Sequence, residues 1–201
     1  MTLPELLLIL KSNDAFIVHC CRSNRGGEIN PKPLYPNDLK ATIGDLAAGG
    51  GRSVSCSVVW PAHQHTFGEI GIIVKPRDVG EVVRVSTGDA GTLENGEGFG
   101  EPLSHASVGR TFTQSTDHNE WVLTGGDVVG IFLNFETGLY VAQMREAPPG
   151  MSLEEAKVLG IPPAPYPVKV TVANVAADFP GLPLFGFVAG VLTQIAAGHP
   201  Y

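Results

Sequence analysis

Asp117-His118-Asn119-Glu120-Trp121-Val122-Leu123, running into Thr124-Gly125-Gly126-Asp127 and then the apolar stretch Val128 to Phe135, is where this chain declares its architecture. Trp121-Val122-Leu123 is apolar, a glycine turn follows, and a β-branched run resumes at once. That pattern predicts two buried strands, with Glu120 at the edge of the first. A carboxylate there has two readings. It is a solvated strand-end group or an arginine partner, or it is a catalytic group carried on a stiff support.

Outward from this pair, further apolar runs predict strands over Ala15 to Arg22, Arg52 to Trp60, Glu69 to Lys75, Glu81 to Ser86 and Val108 to Gln114. The second alternates with period two, so Ser53, Ser55 and Ser57 form a row on one face. Glu136 to Gln143 reads as a hairpin return, and Val168 to Val172 as one more strand. Helices are expected around Leu6 to Leu10, with Thr2 as cap, and over Leu39 to Ala48, capped by Asn37 or Asp38. Two more follow, one from the Ser152/Glu155 capping box to Leu159 and one over Ala173 to Phe179. Pro162 to Pro167 is a stiff linker, Thr87 to Gly100 a glycine-rich surface loop, and the apolar tail Leu182 to Ala197 belongs to the core. The expected fold is α+β: a split, mostly antiparallel β-sheet with peripheral helices. It forms a single domain over 1–201, with a core at about 15–143 and a C-terminal extension, 150–201, packed on it.

Composition narrows the function. The chain has 201 residues, 43% hydrophobic, with 25 glycines and 16 prolines, enough apolar mass for a core and enough turn formers for a strand-rich one. A net charge of -7 argues against bulk phosphate binding or an anionic membrane surface. Cys20, Cys21 and Cys56 give neither a disulfide framework nor a zinc spacing, and no secretory leader is visible. A reducing compartment, the cytoplasm or a target cell's cytoplasm after delivery, is the expectation.

Three stretches then line up in order: Ile17-Val18-His19-Cys20-Cys21-Arg22, Ser53-Val54-Ser55-Cys56-Ser57 and His118-Asn119-Glu120-Trp121-Val122-Leu123. This resembles the mono-ADP-ribosyltransferase arrangement, in which a His or Arg on the first core strand, a Ser/Thr-rich strand and a Glu on a later strand surround bound NAD. The resemblance spans about residues 15 to 135. It implies NAD as substrate, no metal, a toxin- or effector-like enzyme and a macromolecular acceptor. It also implies Glu120 as the catalytic carboxylate, with His19 or Arg22 and the serines Ser53, Ser55 and Ser57 holding NAD. Arginine-modifying members carry a second glutamate two positions before the catalytic one. His118 stands there, which points away from arginine as acceptor.

A second constellation, His63-Gln64-His65 followed by Glu69, resembles the first metal motif of cupins, with His105 as candidate fourth ligand. In that reading the four side chains hold iron or manganese. A non-catalytic binding module on either scaffold is the third alternative.

Overall fold

The computed structural model describes residues 1–27, 30–49, 51–89, 100–115, 118–136, 138–188 and 191–195. The strands are β1 Phe16–Cys20, β2 Val54–Val59, β3 Ile70–Lys75, β4 Val82–Ser86, β5 Glu120–Leu123, β6 Asp127–Leu133, β7 Tyr140–Arg145, β8 Ala164–Lys169, β9 Leu184–Val188 and β10 Val191–Ile195. The helices are α1 Leu3–Ser12, α2 Asn37–Ala48, α3 His105–Gln114, α4 Leu153–Val158 and α5 Val172–Asp178. The architecture is a mixed α/β one, built on a large, mostly antiparallel sheet of eight strands in the order β10-β9-β6-β3-β1-β2-β5-β4, with few helices. The pairing of β6 with β9 is parallel and the other pairings are antiparallel. Strands read separately in the sequence, β1, β2 and β5, are thereby consecutive neighbours.

Strand alternation divides the sheet into two unlike faces. Ile17, Val58, Cys56, Trp121, Leu123, Ile72 and Ile131 point to one face, where Leu6 and Leu10 of α1, Leu39 and Leu46 of α2, Val108 of α3 and Val175 of α5 complete the main core. The opposite face carries a much smaller apolar group, Val18, Cys20, Val59, Ile73 and Phe132, flanked by Phe16, Phe185 and Phe187.

Local chemistry explains most boundaries. Thr2 and Glu5 form a reciprocal capping box on α1, and Ser152 with Glu155 does the same on α4. The cap expected for α2 is absent. Pro36 occupies that position, and the Asp38 carboxylate accepts from Leu34 N–H at 2.9 Å instead.

Three expectations are corrected. Val108 to Gln114 is helix, not strand: Ser104 and Ser107 cap each other's backbone N–H, and Ser107, Val108 and Thr111 share one buried helical face. β7 does not return along β6 but pairs with β8 in a separate two-stranded sheet. The proline tract read as a linker is therefore part of a strand. Pro165 and Pro167 lie two apart, opposite Met144 and Ala142, so both missing N–H groups fall on the same edge. Ala142 uses its own N–H and C=O elsewhere, on Arg22 O and Tyr35 N. Residues 90–99 of the glycine-rich loop, and 189–190 and 196–197 of the apolar tail, lie outside the described residues. No helix among the described residues is long and apolar enough to cross a membrane.

Candidate functional site

Glu120 begins β5, and two features fix its place. Behind it, Trp121 is fully buried and donates its indole N–H to Thr111 Oγ1 at 3.1 Å. Before it, Asn119 is fully buried and clips β2: its Oδ1 accepts from Val58 N–H at 2.6 Å and its Nδ2 donates to Val58 O at 2.8 Å. A side-chain amide thus continues the ladder for one residue beyond the strand. The register, Val54 opposite Leu123, Ser55 opposite Val122 and Cys56 opposite Trp121, brings Glu120 level with Ser57. Glu120, Ser55 and Ser57 consequently share the sparsely covered face, and Ser86 of β4 lies opposite Glu120 on the other side. Ser55 and Ser53 are exposed and Ser57 is buried.

Arg22 joins this face from just beyond β1. Its backbone is held on both sides, N–H to Pro33 O at 3.1 Å and C=O from Ala142 N–H at 2.7 Å. Its guanidinium lies 3.7 Å over the Phe67 ring, and that ring meets His118 at a centroid distance of 3.7 Å. His118 Nε2 is in turn 3.2 Å from Asp89 Oδ2, an ion-pair distance that lies off the line of a hydrogen bond. Arg22, Phe67, His118 and Asp89 therefore form a connected series, and His118 lies two residues before Glu120 in the chain. Gly68 lets the loop after Trp60 come this close: a Cβ there would stand 1.8 Å from Cys21 O, so no side chain fits without moving backbone. Cys20, on the same face, is no nucleophile. Burial, opposed by bonds to Thr66 and Gly68, pushes its thiol up to about 12.

His19 lies elsewhere. Three residues before Arg22, it follows the alternation of Ile17, the face covered by helices. Its Nδ1 donates to Ser55 O at 2.6 Å, and its Nε2 is buried with no hydrogen-bond partner among the described residues. Of the four NAD contacts expected beside Ser53, alternation puts Arg22, Ser55 and Ser57 on the Glu120 face and His19 on the other, although the His19 ring still bonds the backbone of Ser55. Desolvation, reinforced by Arg52 and Arg22, lowers the His19 pKa from 6.5. Below that value the unfolded chain binds a proton that the folded chain resists. Folding stability contributed by His19 is thus complete above pH 6.5 and lost as pH falls toward the lowered pKa. Urea midpoints should drop between pH 7 and pH 5 by more in wild type than in His19→Asn; equal drops would contradict this.

The alternative metal set is dispersed. His63 is buried and stacked on Trp60 at 4.5 Å, with His65 edge-on at 4.8 Å. Glu69 bonds Arg25 at 2.6 Å, and His105 starts α3 at 3.7 Å from Glu5. Among the described residues no three His, Cys, Asp or Glu side chains gather as a metal site would require.

Sequence reasoning missed Asn119 and Phe67. Each had a signal: an amide immediately before a strand, and an aromatic between His65 and Gly68 in a loop otherwise polar. No protein-family model matches the chain, and neither does any curated protein sequence.

Proposed function

We propose that the chain is an NAD-dependent ADP-ribosyltransferase whose site is the Arg22, Ser55, Ser57 and Glu120 face. One observation carries the reading: the three motif-bearing segments lie on adjacent strands, with the carboxylate level with Ser57 and the arginine on the same side. Cleaving the bond between ribose and nicotinamide builds positive charge on the ribose, and a fixed carboxylate stabilises it. Glu120 supplies that charge and orients the attacking nucleophile. Ser55 hydrogen-bonds the nicotinamide ribose or steadies Glu120. Arg22, its guanidinium carbon 3.7 Å over the Phe67 ring, supplies N–H donors for NAD phosphate or ribose oxygens. His118 in place of a second glutamate makes the acceptor a nucleophile other than arginine.

The test is release of nicotinamide from NAD by the purified chain, alone and with cell extract, alongside calorimetric NAD binding. Release with transfer of label from adenine-labelled NAD supports the assignment. Absence of both binding and release at millimolar NAD sinks it.

A further inference from the structure

We infer that the cleft where β1 and β2 part is a second binding site, for a small phosphate monoester that also carries a free hydroxyl. β1 and β2 pair over three positions only, Phe16–Val59, Ile17–Val58 and Val18–Ser57. The register stops there although β1 runs on to Cys20 and β2 begins at Val54, so the end of β1 and the start of β2 diverge. A cavity of about 360 Å³ occupies the fork, lined among others by His19, Lys32, Asp38, Thr42, Arg52 and Ser53.

The floor and the rim ask for different chemistry. On the floor, Ser55 O can only accept, so the His19 Nδ1 at 2.6 Å carries the ring proton and Nε2 presents a lone pair. That nitrogen is buried, with almost no surface open to the cavity, and meets no donor among the described residues. A buried acceptor left bare is unfavourable, and a ligand hydroxyl pressed into the cavity floor beside His19 satisfies it. On the rim, Lys32 and Arg52 are both exposed, and neither makes a salt bridge among the described residues. The one lining carboxylate, Asp38, already accepts from Leu34 N–H. Two cations against one committed carboxylate leave the mouth positive, in a chain whose net charge is -7. An anionic group at the mouth and a hydroxyl at the floor describe a sugar phosphate. Alternation puts His19 on the opposite side of the sheet from Glu120, but Ser53 and Ser55 line this cleft too, so rim substitutions that weaken the sugar phosphate without touching nicotinamide release are what tell the two assignments apart.

The probe is ribose 5-phosphate, titrated calorimetrically into the full chain, with inorganic phosphate, ribose and NAD as comparisons. One molecule of ribose 5-phosphate should bind per chain, more tightly than inorganic phosphate or ribose alone. Arg52→Ala and Lys32→Ala, both rim substitutions that spare the fold, should each weaken it by about tenfold while leaving nicotinamide release from NAD unchanged. His19→Phe should erase the preference over inorganic phosphate, and if that variant fails to fold, the rim pair still decides. No saturable binding, an affinity unmoved by Arg52→Ala, or competitive displacement by NAD would each overturn the proposal.

Discussion

Glu120→Gln is expected to cut nicotinamide release by about a hundredfold or more, with NAD affinity and fold retained. The substitution keeps the shape, removes the charge that stabilises the positive ribose, and exchanges one acceptor oxygen for an N–H donor. Preservation of the fold is expected from the neighbours: Asn119 and Trp121 anchor the start of β5. A variant that turns over NAD as fast as wild type would remove the carboxylate from the reaction. Loss of NAD binding in step with turnover would instead make Glu120 a ground-state contact.

The largest effect on stability is expected at Trp121. Trp121→Ala removes the bulkiest fully buried side chain of the core and leaves the Thr111 hydroxyl without its indole donor. Substitutions of this kind cost about 3–5 kcal/mol, a large share of the roughly 5–15 kcal/mol that holds a domain folded. Trp121→Phe, which refills most of the volume, should lose well under half as much. Guanidinium denaturation of the three proteins measures this directly. Near-equal midpoints for Ala and wild type would mean that the β5 end of the sheet is not part of the cooperative core.

Much of this was legible in the sequence. Continuous apolar runs fixed β1, β3 and β6, period-two alternation fixed β2, and Glu120 was placed at the first residue of β5. Capping chemistry located α1 and α4. The failures have physical causes. Val108, Thr111, Phe112 and Thr113 have strand-favouring side chains, and only the Ser104/Ser107 cap and the burial of Val108 with Thr111 reveal α3. The proline tract disguises β8, because proline forbids a central strand while permitting an edge. Strand neighbours are set by long-range packing, which no local window contains. The same limit applied to the site. His19 and Arg22 were both candidates on one strand, and their odd spacing of three residues puts them on opposite faces, a fact that becomes decisive only once β2 and β5 are known to lie alongside.

That strand order also bears on how quickly the native state can be reached. Among the described residues, the main-sheet ladder of β9 with β10 joins the strands nearest each other in the chain; β1 finds its two neighbours in β2 and β3, and β9 must settle beside β6 after the chain has travelled through β7, α4, β8 and α5. Each such closure spends chain entropy before its contacts repay it, so the central pairings are reached by a search across dozens of residues rather than by local zipping. Refolding belongs in the millisecond-to-second regime of sheets rich in distant pairings, well above the microseconds of helical bundles. During that interval the apolar segments destined for β1 and β3 are both exposed and unpaired, which makes them the stretches most open to pairing with another chain.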